Sequence, residues 1–239
     1  MIAYGNFLFR HRNWVFPLFM VVIFVAFRPV PWGGTPESDL PLDLVGIAIA
    51  IAGAALRGAV VGLAYIKRGG LQKKVYAEDL VTDGMFAHSR NPLYVGNLLM
   101  LLGYLVIHNN PWVYVLGGVF FLTAYHAIVA AEENFLSNKF GSGYYAYCRD
   151  VPRWRIRFAG LAGTFRNMEF NWLRVLVKDY SSIDTGTITV LALLAWEAVS
   201  FRGLESATGT LVMLGIAFVV VQALALTIVV AKKTGRLKA

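Results

Sequence analysis

Long apolar segments with few charges are the feature that most restricts how this chain can fold. Hydrophobic residues make up 57% of its 239 residues, and charged residues only 15%. A helix needs about 20 apolar residues to cross a bilayer, and within lipid its backbone polar groups must be paired internally. We therefore predict an all-α, polytopic membrane helical bundle of about six transmembrane helices. The six segments are Trp14–Phe27, Leu42–Ile66, Leu93–Ile107, Trp112–Leu136, Ile188–Phe201 and Gly209–Ala231.

Lysine and arginine fall almost wholly on one side of this predicted bundle. With the amino terminus in the cytoplasm, only Arg28 and Arg202 lie on the opposite side. The positive-inside rule therefore predicts an integral, multi-pass membrane protein with both termini cytoplasmic. The net charge of +8 follows from this topology. Because no polar domain concentrates the charge, we do not expect binding to nucleic acid.

We expect one integral membrane domain over residues 1–239, with its polar residues concentrated on the cytoplasmic face. Within it, 187–231 is predicted to form a carboxy-terminal transmembrane hairpin. Apolar residues recur every three or four positions over 164–180, which predicts an amphipathic helix. That helix can lie in the lipid interface or pack on the cytoplasmic part of the protein, and the sequence leaves both open.

The cysteine content and one buried charge limit which kinds of binding site this chain can form. The chain has a single cysteine, Cys148, which excludes a disulfide framework and a four-cysteine zinc site within one chain, and we predict no metal site. Arg57 lies within the second apolar segment, where an arginine is costly. It therefore requires an anion, supplied either by a carboxylate of the protein or by a ligand.

Two short stretches carry the polar groups that best fit a binding site. Asn91-Pro92 marks a helix start whose free N–H groups can hold an anion, with Arg90 beside it, although an ordinary juxtamembrane arginine gives the same pattern. Glu132 and Glu133 end the fourth segment, and two carboxylates this close need a nearby cation. A bound amino or sulfonium group would supply one; the alternative is a simple acidic helix end at the interface.

Together these stretches resemble the isoprenylcysteine carboxyl methyltransferase and phospholipid methyltransferase group. The resemblance covers roughly Arg57 to Trp154, somewhat under half of the chain, within a predicted methyltransferase core over 42–157. It rests on the order and spacing of motifs that are weak individually. They are Leu80-Val-Thr-x-Gly, Ser89-Arg90-Asn91-Pro92-Leu93-Tyr94-Val95-Gly96, Glu132-Glu133, Phe140-Gly-x-x-Tyr144-x-x-Tyr147 and Val151-Pro152-Arg153.

The resemblance implies a cytoplasm-facing pocket for S-adenosyl-L-methionine and a lipid or lipophilic small-molecule acceptor that arrives from the membrane lipids. Where the family often has Arg-His-Pro, this chain has Asn91, which cannot serve as a base near neutral pH. His88 is the candidate to replace it. The expected cofactor-binding residues are Thr82, Gly84, His88, Arg90, Asn91, Pro92, Tyr94, Gly96, Glu132, Glu133, Tyr144 and Tyr147.

The acceptor atom decides which residues are catalytic. A carboxylate acceptor needs only a cation to orient it, and Arg57, Arg90 and Arg153 are the candidates. An amine acceptor must lose a proton, which Glu133 or His88 could take. Amine headgroups, prenylated thioether carboxylates and small thiols all remain open as acceptors.

Two other functions are open on this sequence. A membrane reductase of sterol-reductase-like architecture would use NADPH, but no cluster of arginines for its extra phosphate stands out. A non-enzymatic scaffold or a transporter could use the same helices, although transporters often show two similar halves and this chain does not.

Overall fold

The computed structural model describes residues 1–64 and 75–237, and over these ranges the chain is helical, with no strand. This confirms the predicted all-α class. Short 3-10 turns at Trp32–Gly34, Pro36–Ser38 and Gly84–Ala87 interrupt the connections. The α-helices are α1 (Ile2–Ala26), α2 (Leu40–Leu63), α3 (Pro92–His108), α4 (Pro111–Phe140), α5 (Ser142–Asp150), α6 (Leu161–Asn167) and α7 (Trp172–Lys233).

Four stretches of the described chain are long and apolar enough to cross a membrane: Ile2–Ala26, Pro36–Leu63, Pro111–Phe140 and Trp172–Lys233. α3 is apolar but shorter. Large hydrophobic side chains cover the outer faces of these helices, with Trp14 79% and Met213 73% exposed, as lipid contact requires. The protein is therefore an integral membrane protein, and six spans stays a prediction.

The first two helices differ from their predicted bounds. α1 begins at Ile2 rather than Trp14, because Leu8 and Phe9 are buried with Ala124 and Ile128 of α4 and so extend the helix beyond its apolar run. The predicted end of the second segment lies outside the described residues. So do Lys67, Arg68, Lys73, Lys74 and Lys238, on which part of the charge asymmetry depends.

The amphipathic stretch 164–180 is divided between two helices instead of forming one. α6 ends at Asn167, and Asn171 starts α7 by accepting a hydrogen bond from the Arg174 backbone N–H at 2.7 Å. The Asn171 backbone N–H donates to the Gly62 carbonyl at 3.0 Å, which fastens the break to the end of α2. A side-chain cap and a tertiary contact thus override the periodicity.

Glycines bring α2 and α3 into close antiparallel contact. A Cβ added at Gly53 would lie 2.5 Å from the Gly96 carbonyl oxygen, and one at Gly103 would lie 2.5 Å from that of Gly46. Two pairs of glycines spaced by seven residues therefore let the two backbones touch, as small residues do in membrane helix pairs. This contact fixes the start of α3, which carries part of the site.

α7 is a long helical hairpin. Its backbone breaks at Gly203, where φ is 75°, and the second limb returns along the first. Gln222 Nε2 donates to Asp184 Oδ1 at 2.9 Å, and Lys232 Nζ donates to the Val177 carbonyl at 2.8 Å. The transmembrane hairpin predicted for 187–231 stays a prediction, and the first limb of α7 starts earlier, at Trp172.

Candidate functional site

Three charged side chains meet where α3 begins and α4 ends. Arg153 donates to Glu133 from Nε to Oε1 at 3.0 Å, and its Nη2 lies 2.7 Å from Oε2. Arg90 Nη1 lies 3.2 Å from the same Oε1. All three side chains are between 17% and 26% exposed, so water screens the cluster only partly. Two cations around one carboxylate leave a net positive charge.

Hydrogen bonds to backbone carbonyl groups hold the two arginines in place. The Arg90 N–H donates to the Pro152 carbonyl at 2.9 Å, and Asn91 Nδ2 donates to the Arg153 carbonyl at 3.0 Å. The segment after α5 is thereby clamped to the start of α3. Asn91, where a histidine was expected, therefore has a positioning contact that needs no charge. Pro92 is buried at the first turn of α3.

A second polar chain lies next to the first, since Glu132 precedes Glu133. Tyr94 Oη donates to Glu132 Oε1 at 2.6 Å, and Arg12 Nη1 donates to Tyr94 Oη at 3.1 Å. Arg12 is not among the site residues predicted from the sequence. It shares a helical face with Leu8, Phe9 and Phe16, and this spacing was the signal that could have found it.

α5 covers the Arg90 side of the cluster with aromatic rings. Tyr144 is buried, its ring centroid is 6.2 Å from that of Tyr147, and Tyr147 Oη donates to the Phe86 carbonyl at 2.7 Å. Burial raises the pKa of both phenols well above their usual range, and for Tyr144 the Glu133 charge adds to it. Both tyrosines are therefore neutral at physiological pH.

Cys148 also lies in this layer and accepts a hydrogen bond from Arg90 Nη1 at 2.8 Å. Burial alone would lower the pKa of Arg90, but the charge of Glu133 and the contact with Cys148 raise it overall. Arg90 is thus a permanent cation whose Nη1 contacts both the thiol and the carboxylate.

Arg57 is not part of this cluster. Its Nη2 lies 2.5 Å from Asp179 Oδ1 and donates to Ser182 Oγ at 2.8 Å, and its Nη1 is in contact with Asn97 Oδ1. The anion that Arg57 requires is therefore a carboxylate of the protein, from the first limb of α7.

His88 is also turned away from the carboxylates. Its Nδ1 lies 2.7 Å from the Arg157 carbonyl oxygen and its Nε2 lies 2.8 Å from Thr164 Oγ1, and the residue is only 3% exposed. Both ring nitrogens are engaged in joining α6 to the loop before α3. Its surroundings favour a positioning role over that of a base.

The remaining predicted residues shape the backbone. Gly84 has a φ of 60°, and a Cβ there would meet Leu63 and Ala64 at 3.2 and 3.1 Å. Gly96 faces α2, since a Cβ there would lie 2.7 Å from Arg57 Cγ. Thr82 is half-buried just ahead of Gly84. The glycines thus serve close packing beside the cluster.

Comparison with known proteins bears on this region. Residues 45–143 match the phospholipid methyltransferase family. The matched segment includes α3, α4, Arg90 and both glutamates, but it ends before Arg153. The chain is also similar to the cobalt-zinc-cadmium resistance protein CzcN of Cupriavidus metallidurans, with 29% identity over 152 residues. That similarity covers 63% of this chain and 66% of the relative, just under two thirds of its length.

No solved structure matches the chain. The similarity to known proteins therefore rests on the matched segment. That segment contains the helix start at Pro92 and the paired glutamates on which the resemblance depended. Over residues 45–143, this chain is therefore similar to the phospholipid methyltransferase family.

Proposed function

We propose that this protein transfers a methyl group from S-adenosyl-L-methionine to a lipid or lipophilic acceptor at the cytoplasmic face of its membrane. The observation that carries the proposal is the junction of Arg90, Glu133 and Arg153 at the ends of two membrane helices. Arg90 and Glu133 lie inside the family segment. The cytoplasmic orientation is supported by the excess of lysine and arginine at this end of the chain's helices.

The polar groups of the junction fit the methyl donor. Arg90 Nε is buried and has no hydrogen-bond partner within the described ranges, so one N–H of a fixed cation is available to a carboxylate. Tyr144 and Tyr147 offer neutral rings to a flat base. An ammonium group would share the Glu133 carboxylate with Arg90 and Arg153. When bound, S-adenosyl-L-methionine supplies a methyl group activated by its sulfonium charge.

An apolar cavity beside the glutamates is a candidate for the acceptor. It has a volume of about 590 Å³ and lies between the start of α1 and the end of α4. Phe7, Phe9 and Phe135 line it together with Asn134 and Asn138. Aromatic rings suit acyl or prenyl chains, and the two amides suit a polar headgroup. Glu133 remains the candidate to take a proton from an amine acceptor.

Calorimetry of the detergent-purified protein tests the donor site. We expect S-adenosyl-L-methionine and S-adenosylhomocysteine to bind with micromolar affinity, and Glu133→Gln or Arg90→Ala to weaken binding at least tenfold. The matched controls Glu169→Gln and Arg155→Ala alter exposed residues of the same types and should leave it unchanged. Binding of NADPH instead of the methyl donor would favour the reductase. If folded protein supplied with lipid binds neither S-adenosyl-L-methionine nor NADPH, both enzymatic hypotheses are contradicted.

Acceptor choice requires a separate measurement. Vesicles that contain amine headgroups, or a prenylated thioether carboxylate, would be incubated with radiolabelled donor and extracted. We expect Phe135→Ala to raise the KM for the lipid acceptor while the affinity for the methyl donor stays within twofold. Phe158→Ala, at a residue 77% exposed, is the control and should change neither quantity.

A further inference from the structure

Three carboxylates meet at the other end of the bundle. Asp39 precedes α2, Asp43 lies in its first turn, and Glu197 lies in the first limb of α7. One oxygen from each lies within 4.8 Å of the others. Asp43 is about four turns of α2 from Arg57, roughly 21 Å, and Glu197 is about five turns of α7 from Asp179, roughly 27 Å. These three acids are therefore remote from the buried Arg57–Asp179 pair.

Burial makes this cluster costly as it stands. Asp39 is 3% exposed and Glu197 is 4% exposed. Asp39 Oδ1 accepts a hydrogen bond from the Trp32 backbone N–H at 2.8 Å. Within residues 1–64 and 75–237, Asp39 Oδ2, Asp43 Oδ1 and Glu197 Oε1 are buried without a hydrogen-bond partner. Carboxyl oxygens removed from water in this way require either a compensating positive charge or a proton shared between the acids.

The described residues of the protein do not provide such a positive charge. Among the described residues, no lysine, arginine or histidine forms an ion pair with any of the three acids. Asp39 and Asp43 lie at the start of α2, whereas Glu197 lies far along the chain in α7. The fold has therefore brought acidic side chains together across two helices. Such convergence is typical of side chains that share a cation.

We propose that Asp39, Asp43 and Glu197 bind one divalent cation that prefers oxygen ligands, of the class of Mg²⁺, Ca²⁺ or Mn²⁺. Ligand oxygens on opposite sides of a Ca²⁺ ion lie about 4.6–5.2 Å apart, since each bond is about 2.3–2.6 Å long. The separation of at most 4.8 Å between these oxygens accommodates one such ion. An all-carboxylate set favours hard cations over those that prefer nitrogen or sulfur.

The ion would join two parts of the protein that no other contact described above connects at this end. Asp39 and Asp43 hold the start of α2, and Glu197 belongs to the carboxy-terminal hairpin. Binding there would stabilise the hairpin against α2 without taking part in methyl transfer. The site would therefore act on stability rather than on chemistry.

Mn²⁺ is the probe of choice because its binding is measured directly by electron paramagnetic resonance. With the full-length protein in detergent, after chelator treatment, we expect one bound Mn²⁺ per chain, displaced by excess Ca²⁺ or Mg²⁺, and a rise in Tm on addition of any of the three. Asp39→Asn and Glu197→Gln should lower the Mn²⁺ affinity at least tenfold. Glu37→Gln, at an exposed acid of the same loop, should not change it.

Wild-type protein alone decides the question if a variant fails to fold. Absence of bound Mn²⁺, or binding that Ca²⁺ and Mg²⁺ do not displace, would overturn the proposal. So would equal affinities of the wild type and a folded Glu197→Gln variant, because the carboxylates would then share protons instead of a metal. No methyl donor enters the measurement, so its outcome is independent of the proposed transferase activity.

Discussion

Arg153 forms a bidentate ion pair with Glu133 through both carboxylate oxygens, with N–O distances of 3.0 and 2.7 Å. This bidentate pair joins the segment after α5 to the end of α4, and Arg90 completes the junction from the start of α3. A planar fork that meets two oxygens fixes the orientation of the carboxylate as well as its charge. The pair thus sets which face of Glu133 is open to a ligand.

We expect Arg153→Lys to weaken S-adenosyl-L-methionine binding about tenfold although the charge is kept, because a lysine ammonium cannot make both contacts at once. Calorimetry on the purified protein measures the change. Arg155→Lys is the matched control at an exposed position. Equal affinities of the wild type and Arg153→Lys would show that charge alone matters at this position.

Tyr94→Phe should destabilise the protein by about 1–3 kcal/mol, because Glu132 loses its hydroxyl donor and Arg12 loses its acceptor. Denaturant unfolding in detergent, followed by circular dichroism, measures the free energy. Tyr145→Phe, at a tyrosine 61% exposed, should have no measurable effect. A change below about 0.5 kcal/mol in Tyr94→Phe would contradict a linked Arg12–Tyr94–Glu132 chain.

Gly53→Ala should lower the free energy of unfolding by about 1–3 kcal/mol, since its new methyl group would lie 2.5 Å from the Gly96 carbonyl oxygen and force α2 and α3 apart. Gly118→Ala in α4 makes the same chemical change where nothing lies within 4 Å. That control should keep or slightly raise the stability, because alanine favours the helix. Similar losses in both variants would argue against close α2–α3 packing.

Asp179→Ala should be strongly destabilising, by about 3–5 kcal/mol, because it leaves the Arg57 cation buried beside Asn97 and Ser182 without its carboxylate. The double variant Arg57→Met with Asp179→Leu should recover much of that loss, since no charge then remains. Glu205→Ala, at an exposed acid of α7, is the control. Additive losses in the double variant would contradict the pairing of Arg57 with Asp179.

The sequence predicted the helical class, and the parts of the candidate site that are local in the chain could be grouped from the sequence alone. Arg90 and Pro92 are neighbours at a helix start, and Glu132 and Glu133 are adjacent, so their grouping needed no knowledge of tertiary structure. The break at Asn171 was missed because a cap and a contact with Gly62 outweigh periodicity there.

Partners that are remote in sequence could not be predicted. The position of Arg57 in an apolar segment indicated that it needs an anion. Its partner Asp179 lies 122 residues away, in a stretch interpreted as an amphipathic helix, so the pairing could not be predicted. For the same reason, the juxtaposition of Glu197 with Asp39 and Asp43 follows only from how α7 packs against α2. Pairings of this kind depend on helix register, which a single sequence does not fix.

The contact between Arg57 and Asp179 also constrains how shorter proteins that share the segment 45–143 can be built. Arg57 lies within the family segment and Asp179 lies outside it, in the carboxy-terminal hairpin. A homologue that ends before such a hairpin would have to carry an uncharged residue at the position equivalent to Arg57, or an acid on another helix. In evolutionary terms, the two charges are expected to be gained and lost together, so the hairpin and this arginine should be inherited as one unit.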